Sequence, residues 1–404
     1  MSVSSTKFDI VAKTFFGLED VLAKEVENLG AEDIKKETRA VIFKGDKKLL
    51  YSSNYNLRTA TKILKPIHKF NAKNEVELYK HVDEIDWTEL LSRGDTLTVN
   101  TVLNSAHFGH SQFISQKVKD AVVDQLRKKT GRRPSVDTKD PTLRIHIHIN
   151  QESCTLSLDS SGESLHKRGY RVDGHVAPIN EILAAGMVLL SGWDKKSAFY
   201  DFMCGSGTIL IEAALIANNI APGIFRNDFA FEKWKDFDED LFQEAYDDLT
   251  ETNFENEIIG SDYSAKSASL ARLNVKRASL DKKIKVHVKS FFDILPENKG
   301  TLIMNPPYGE RIGGGNLNNF YKKIGDKLKK DFDGYNAWII SSNMDALKNI
   351  GLHTSKKITL YNGNLECKFN KYAMYRGSQK RKTKNTNPVK NYPQDANTLK
   401  NYEK

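Results

Sequence analysis

The first 65 residues alternate short apolar runs with amphipathic segments. Apolar residues recur at helical spacing over residues 17–29, and Gly30 follows as a C-cap. Asp46 stands where it can cap a second, shorter helix. Three runs have the length and apolar character of strands, namely residues 8–12, 40–43 and 59–64. This β-α-β-α-β order predicts a small ferredoxin-like α+β domain over residues 1–65.

A second set of elements follows over residues 66–160. The expected elements are helices over residues 74–82 and from Ser111 onward, and strands over residues 96–102, 143–149 and 154–158. The last two strands form a hairpin. His146 and His148 lie opposite the isoleucines of the first of these two, so we expect them to be exposed. No carboxylate or thiol is spaced to share a metal ion with them.

The long helix of this second module ends in a dense group of cations around Thr130 and Gly131. One interpretation is a solvated helix end that is well placed against the helix dipole. The other, given equal weight, is a contact with nucleic-acid phosphates. The candidate RNA-binding residues are Lys117, Arg127, Lys128, Lys129, Arg132 and Arg133.

The carboxyl-terminal half alternates strands and helices. Its expected strands are residues 198–201, 258–262, 284–288, 301–304 and 337–341, its helices are 209–217, 265–278 and 316–330, and a hairpin near 358–360 and 367–374 closes it. Polar residues follow successive strands, whose carboxyl ends meet at one edge of a parallel sheet. We therefore predict a Rossmann-like, doubly wound α/β domain over residues 161–375, followed by a basic tail over residues 376–404.

A glycine-rich turn, D-F-M-C-G-S-G-T, follows the first strand of this half. Its glycines permit a tight turn and close approach of a ligand, and the aspartate can pair with an amino group. The spacing disfavours dinucleotide-binding and P-loop sites. The turn resembles motif I of class I S-adenosylmethionine methyltransferases, although its cysteine is better explained as a small packing residue than as a nucleophile. The candidate cofactor-binding residues here are Asp201, Cys204, Gly205, Ser206, Gly207 and Thr208.

Two later strand ends add candidate cofactor residues. Asp262 can bind the ribose hydroxyls of the cofactor, or it can serve as the N-cap of the next helix. In the simple dinucleotide-binding fingerprint, roughly 20 residues separate the glycine turn from such an acid. Asp262 lies much further from the turn than that. The long connection 218–256 accounts for the excess. After the following strand, Phe291 or Asp293 can contact the adenine. Methyltransferases with such a glycine turn often have an acidic residue at the position of Ser290. The sequence therefore does not decide which residue binds the adenine amine of the cofactor.

The sequence Asn305-Pro306-Pro307-Tyr308 directly follows the fourth strand. Two prolines fix the backbone and can neither continue a sheet ladder nor enter a helix. An amide, carbonyl groups and an aromatic ring are thereby held at a strand end, which suits a planar base with an exocyclic amine. By itself this sequence would indicate only a proline-rich turn. Beside the glycine turn, all four residues become catalytic candidates.

A family resemblance connects these motifs. The helix opened by Ser111-Gln112, its basic end and the hairpin resemble a THUMP RNA-binding domain. Residues 164–171, S-L-H-K-R-G-Y-R, and residues 177–181, A-P-I-N-E, resemble the segment that joins THUMP to the catalytic domain in RlmL-type guanine-N2 methyltransferases. The resemblance implies S-adenosylmethionine as the cofactor. It also implies that Asn305 and the Pro306 carbonyl accept hydrogen bonds from the guanine amine, while Tyr308 stacks on the base.

The resemblance favours large-subunit rRNA as the substrate, with tRNA as the alternative. The same Asn-Pro-Pro-Tyr turn occurs in adenine-N6 DNA methyltransferases and in enzymes that methylate a protein glutamine, so these classes stay open. A non-catalytic RNA-binding protein is the alternative from a different class. The amino-terminal half argues against DNA and protein substrates, and the two intact motifs argue against a loss of catalysis.

Composition adds a few limits. Of the 404 residues, 39% are hydrophobic, and no apolar run reaches the ~18 residues of a membrane span. The start lacks an apolar signal core, so we expect a cytoplasmic protein without a membrane partner. The three cysteines are far apart, which predicts neither a disulfide nor a metal site. The net charge is +9, but residues 376–404 hold eight Lys or Arg against two acids, so the body would bind RNA through local patches.

Overall fold

The computed structural model describes residues 6–172, 178–247, 250–295, 297–307 and 317–374, and the predicted basic tail lies outside them. The strands are β1 (Phe8–Lys13), β2 (Glu32–Glu37), β3 (Ala40–Gly45), β4 (Lys62–Asn71), β5 (Thr96–Asn104), β6 (Ser135–Val136), β7 (Leu143–Asn150), β8 (Ser153–Asp159), β9 (Ala198–Asp201), β10 (Ile258–Asp262), β11 (Ile284–Val288), β12 (Gly300–Met304), β13 (Asn336–Ser341), β14 (Lys356–Asn362) and β15 (Leu365–Ala373). The helices are α1 (Glu19–Asn28), α2 (Lys47–Asn56), α3 (Glu75–Asp83), α4 (Ser111–Thr130), α5 (Glu181–Leu190), α6 (Thr208–Ala217), α7 (Glu239–Asp247), α8 (Ala265–Arg277), α9 (Leu317–Asp331) and α10 (Met344–Lys348). None of the helices in these described ranges is both long and apolar enough to cross a bilayer.

The amino-terminal half is built on one eight-stranded sheet in the order β2-β3-β1-β4-β8-β7-β5-β6. Strand β4 lies inside this sheet and pairs antiparallel with β1 on one side and β8 on the other. It continues to Asn71, well past the predicted strand end at Leu64 and across the border expected between residues 65 and 66. The two amino-terminal modules therefore share a continuous sheet.

Two details of this sheet depart from the sequence pattern. Strand β2 was not predicted, because Ile34 is its one apolar residue and it pairs only with β3 at the sheet edge. The expectation that His146 is exposed is wrong, since its side chain is only 9% exposed and burial lowers its pKa to about 4. Alternation along a strand shows which residues share a face, but the exposure of that face depends on neighbours that are distant in sequence.

The carboxyl-terminal half is built on a seven-stranded sheet in the order β11-β10-β9-β12-β13-β15-β14. The first five strands are parallel, and the hairpin of β14 and β15 closes one edge antiparallel. The chain adds β10 and β11 on one side of β9, and β12 and β13 on the other. The strand order thus reverses beside β9, and such a switch point is where doubly wound sheets bind their ligands. The predicted fold class is confirmed.

The described part of the long connection 218–256 is called the clasp below. It packs against the amino-terminal half and is not a simple surface loop. Its Phe231 is fully buried and stacks on Tyr51 of α2, with 4.3 Å between the ring centroids. Phe229 and Trp234 are buried in the same cluster, and α7 packs against α2. A segment of the carboxyl-terminal half therefore completes the hydrophobic core of the amino-terminal half, a role that the sequence pattern did not reveal.

A buried ion pair fixes the segment that joins the two halves. The guanidinium of Arg168 lies 3.5 Å from the carboxylate of Glu212 on α6, and both side chains are inaccessible to solvent. Arg168 also donates to the backbone carbonyl of Arg58, and the Tyr170 hydroxyl donates to Glu212 at 2.9 Å. Because a buried charge that loses its partner is costly, this network holds the two sheets in one orientation.

Candidate active site

Three polar residues meet at the switch point of the second sheet. Strand β9 pairs with β10 on one side and with β12 on the other. Asp201 ends β9, Asp262 ends β10, and Asn305 follows β12. Since neighbouring strands lie about 4.8 Å apart, the sheet brings all three residues to one edge. Two of them were predicted to bind a cofactor and the third to bind the methyl acceptor.

The backbone of the glycine turn adopts conformations that favour glycine. Gly205 has a φ of +51° and Gly207 a φ of +83°. Gly207 precedes the first residue of α6, and a Cβ atom there would lie 3.1 Å from the Cβ of Ala271 on α8. The amide of Cys204 donates to the carbonyl of Ser261 at 3.0 Å, which ties the turn to β10.

The other side chains of the turn point into the protein. Cys204, Ser206 and Thr208 are buried, and burial raises the pKa of the Cys204 thiol, which fits a packing residue. The Ser206 carbonyl accepts a hydrogen bond from Asn274 at 2.9 Å. The Thr208 hydroxyl accepts one from Arg171 at 3.1 Å. These three residues shape the turn and leave its backbone as the surface for a ligand.

The two aspartates of the site differ in their hydrogen bonds. Buried Asp201 accepts from the amide of Met203 at 3.1 Å, and burial, together with the charge of Asp262, raises its pKa to about 8. No cation pairs with it among the described residues, so it suits a ligand ammonium group. Asp262 accepts from the amides of Gly205 and Ser264. The alternative N-cap role of Asp262 is wrong, because Ser264 caps α8 through its own side chain.

The structure does not support an adenine contact by the ring of Phe291. This ring is 2% exposed and packs with Phe202 and Phe332 in the hydrophobic core. A short helical turn puts Phe291 inside and leaves Asp293 exposed. Ser290 caps that turn by accepting from the amide of Phe292. Of the candidates, Asp293 is thus the one whose side chain stays open to a ligand.

The acceptor motif carries an unsatisfied polar atom. The Oδ1 atom of Asn305 is buried and has no hydrogen-bond partner within the described ranges. Pro306 is buried beside it, Pro307 is partly exposed, and Tyr308 lies outside the described residues. A buried carbonyl oxygen without a donor is costly, so it is an expected feature of a site whose ligand supplies the donor.

Two residues that support this motif were not identified from the sequence. The Tyr321 hydroxyl on α9 donates to the carbonyl of Pro307 at 3.4 Å and lies 2.8 Å from the hydroxyl of Ser341, which ends β13. In the sequence, Tyr321 occupies an apolar-face position of an amphipathic helix, where nothing distinguishes it from an ordinary core residue. Its role depends on the packing of α9 against the strand ends.

The candidate RNA-binding cations lie at the surface of the second module. Arg127, Lys128, Lys129, Arg132 and Arg133 are exposed, at and beyond the end of α4. Lys129 forms an ion pair of 2.9 Å with Asp86. Lys117 lies about three helical turns before Arg127 on α4, with its ammonium 5.4 Å from the centre of the exposed Phe113 ring. Lys129 is therefore partly neutralised, whereas Arg132 and Arg133, beyond α4, form no ion pair with any residue that the structure describes.

Comparison with family profiles gives three consecutive matches. Residues 168–371 match the RMKL-like methyltransferase domain, residues 72–159 the THUMP domain, and residues 9–64 the RlmL ferredoxin-like domain. The glycine turn, Asn305 and the clasp all fall within the first match. The order of the three matches agrees with the resemblance inferred from the motifs.

Individual proteins extend this result. The chain is 40% identical to a candidate RNA methyltransferase of Synechocystis sp., over 92% of this chain and 98% of that protein. It is 38% identical to the ribosomal RNA large subunit methyltransferase K/L of Methylococcus capsulatus, over 89% of this chain but only 50% of that protein, so it spans half the length of this relative. The crystal structure of SMU.472, a candidate methyltransferase in complex with S-adenosylhomocysteine, superposes with a TM-score of 0.81 at 32% identity, covering 92% of this chain and 99% of the other.

Proposed function

The chain belongs to the RMKL-like methyltransferase family, and on that premise we propose that it methylates the exocyclic N2 amine of a guanosine in large-subunit rRNA. The methyl donor of this family is S-adenosylmethionine. The THUMP match supports RNA as the acceptor class, and the name of the Methylococcus capsulatus relative supports rRNA. The proposal places the reaction in the cytoplasm and requires no metal ion.

One observation carries the choice of an amine as the acceptor. Among the described residues, the buried Oδ1 of Asn305 has no hydrogen-bond donor, and it lies one strand away from the carboxyl end of β9, where the glycine turn begins. A guanine amine has two N–H donors, of which Asn305 and the Pro306 carbonyl can each accept one. Both N–H groups are then bound by these two acceptors. The nitrogen lone pair is thereby directed toward the site of the methyl donor.

The chemistry needs orientation more than proton transfer. Bound S-adenosylmethionine supplies an electrophilic methyl group, so that a nitrogen–carbon bond forms as the carbon–sulfur bond breaks. The residues of the motif keep the amine within a near-attack geometry, which lowers the entropic part of the barrier. The methylated amine is acidic and loses its proton after transfer, to water or to an acceptor of the motif. A cysteine nucleophile is not required, which agrees with the buried position of Cys204.

The base must leave its stack to reach this site. We propose that Tyr308, which lies outside the described residues, stacks on the extruded guanine. The cations beyond α4 would hold the RNA backbone through phosphate contacts. In this arrangement the second module binds the RNA backbone, and the strand ends of the second sheet carry out the methyl transfer.

Mass spectrometry of RNA from a deletion strain tests the proposal. Loss of one N2-methylguanosine from large-subunit rRNA, restored by the wild-type gene but not by an Asn305→Ala gene, is the expected result. Loss of the same nucleoside from tRNA would move the substrate to tRNA. Unchanged guanosine methylation in both RNAs, with a lost methyl group on adenine in DNA, would overturn the proposal.

A further inference from the structure

Three side chains of types that bind metal ions form a group that is distant in sequence from the catalytic motifs. His68 projects from β4, His81 from the last turn of α3, and Glu84 follows that helix directly. One potential ligand atom from each lies within 4.8 Å of the other two. The Nδ1 of His81 is 3.0 Å from a carboxylate oxygen of Glu84, and the Nε2 of His68 is 3.8 Å from the same oxygen.

The aromatic neighbours restrict the orientation of both imidazoles. Phe70, two residues after His68 on the same strand, stacks on the His81 ring with 4.8 Å between the centroids. The ring of His68 lies 5.1 Å from the same phenylalanine. Residues two apart on a strand share a face, so β4 presents His68 and Phe70 together to the end of α3. The two histidines are therefore oriented toward each other before any ligand binds.

One atom of the group lacks a partner. The Nε2 of His68 is buried and makes no hydrogen bond within the described residues. A buried ring nitrogen without a partner is unfavourable, whereas an imidazole nitrogen that is free of other bonds is a ready metal ligand. The neighbouring carboxylate supplies the negative charge that a divalent cation needs.

We propose that His68, His81 and Glu84 bind a divalent transition-metal ion of the Zn²⁺ type. Two imidazoles and one carboxylate are a donor set that Zn²⁺ accepts, and the fourth position is left to water. Ligand atoms around tetrahedral Zn²⁺ lie roughly 3.3 Å apart, so the His81–Glu84 pair already fits, and His68 must approach Glu84 by about 0.5 Å and His81 by at most about 1.5 Å. This inference departs from the sequence expectation of no metal site and does not rest on the proposed function.

The position of this site suggests a structural consequence. Strand β4 belongs to both halves of the eight-stranded sheet, whereas α3 belongs to the second module alone. A metal ion between them would link the shared strand to the module that carries the basic helix end. Because the ion binds only the folded arrangement, it would raise the stability of the chain without taking part in methyl transfer.

The test uses the full chain, purified without a histidine tag and stripped with a chelator. Titration with Zn²⁺ in competition with a chromophoric chelator should show one equivalent bound, and the thermal midpoint should rise with Zn²⁺ but not with Mg²⁺. His68→Gln and His81→Gln should each weaken binding at least tenfold. His107→Gln is the matched control, because His107 lies 3.3 Å from Glu152 but belongs to no group of three potential ligands among the described residues, and binding should be unchanged.

A further variant protects the test against misfolding. Glu84→Gln changes a half-exposed side chain and should leave the circular dichroism spectrum unchanged while it weakens Zn²⁺ binding. The proposal is overturned if the wild-type chain binds Zn²⁺ no more tightly than the double variant in which both His68 and His81 are replaced by glutamine. Equal binding by wild type, His68→Gln and Glu84→Gln would overturn it as well, because the ion would then sit elsewhere.

Discussion

The backbone amide of Gly205 donates a hydrogen bond of 3.0 Å to the Oδ2 atom of Asp262. This contact joins the glycine turn to the end of the neighbouring strand. The Oδ1 atom of Asp262 accepts from the amide of Ser264 at 2.9 Å. Each carboxylate oxygen has a second lone pair, so Asp262 can organise the backbone of the site and still accept hydrogen bonds from ribose hydroxyls.

We therefore expect Asp262→Ala to weaken S-adenosylmethionine binding at least about tenfold, since it removes the acceptor of two amides and of the proposed ribose contact. Asp262→Asn keeps one oxygen and should show a smaller loss. Isothermal titration calorimetry measures both affinities, and thermal unfolding without the ligand shows whether the variants are folded. Binding of Asp262→Ala at wild-type affinity would refute the ribose assignment.

Asn305→Ala should lower the rate of methyl transfer by about 10²–10³-fold while the affinity for S-adenosylmethionine changes little. The amide side chain is proposed to contact the acceptor base and not the cofactor. A methyl-transfer assay with tritiated cofactor measures the rate. Tyr321→Phe is a useful companion, because it removes the hydroxyl that supports Pro307 and should cause a smaller loss of rate. A fully active Asn305→Ala enzyme would contradict the assignment.

The raised pKa of Asp201 makes stability depend on pH. Its pKa is about 8 in the folded chain against an ordinary value of 3.8, so its contribution is complete below about pH 4 and is lost as the pH rises toward 8. The cofactor-free wild type should therefore lose thermal stability between about pH 6 and pH 8 more steeply than Asp201→Asn. Parallel melting curves of the two proteins check this, and identical slopes would mean that Asp201 is not protonated.

The proposed ammonium contact of Asp201 adds a second readout. An ammonium group favours the carboxylate form, so cofactor binding near neutral pH should release a proton from Asp201. Calorimetry in two buffers with different ionisation enthalpies measures this release. Asp201→Asn should abolish it, and a proton release that persists in Asp201→Asn would assign the proton to another group.

Neutralising Arg132 and Arg133 with glutamine should weaken RNA binding and lower the slope of log K against log salt by about 1 for each phosphate contact. Lys129→Gln removes the same charge from a residue that is already paired with Asp86, so its effect should be smaller. Filter binding of a large-subunit rRNA transcript at several salt concentrations gives the slopes. Equal slopes for all variants and the wild type would favour a merely solvated helix end.

Phe231→Ala should lower the free energy of unfolding by about 3–5 kcal/mol, because it empties a buried aromatic site against Tyr51. Phe113→Ala is the matched control, since that ring is 43% exposed and its loss should change stability by less than about 0.5 kcal/mol. Denaturant unfolding followed by tryptophan fluorescence measures both. Equal effects of the two substitutions would mean that the clasp does not support the amino-terminal core.

Local patterns predicted the elements that place the active site. The apolar runs before Asp201, Asp262 and Asn305 are strands, and their ends meet because parallel strands share an edge. Gly205 and Gly207 were expected to permit a tight turn, and both have the positive φ angles that glycine adopts readily. Each of these features depends on a few consecutive residues, which is why the sequence was sufficient.

The features that the sequence did not predict depend on contacts between distant segments. Phe291 was expected beside a ligand, but its position is set by Phe332, which follows α9 about forty positions later. The support of Pro307 by Tyr321 depends on how α9 packs, and the burial of His146 depends on neighbouring elements. The sequence of a single strand or helix does not show which distant element will pack against it.

Strand β4 limits how the chain can be divided. A fragment that ends near residue 65 would lose most of the part of β4 that pairs with β8, and one that begins there would lose the residues of β4 that pair with β1. Each break removes ladder hydrogen bonds of β4 and leaves their amide and carbonyl groups unpaired, which invites aggregation. Fragments for separate study should therefore keep β4 whole, and one that ends after residue 159 keeps the eight-stranded sheet but loses the clasp residues that complete its core.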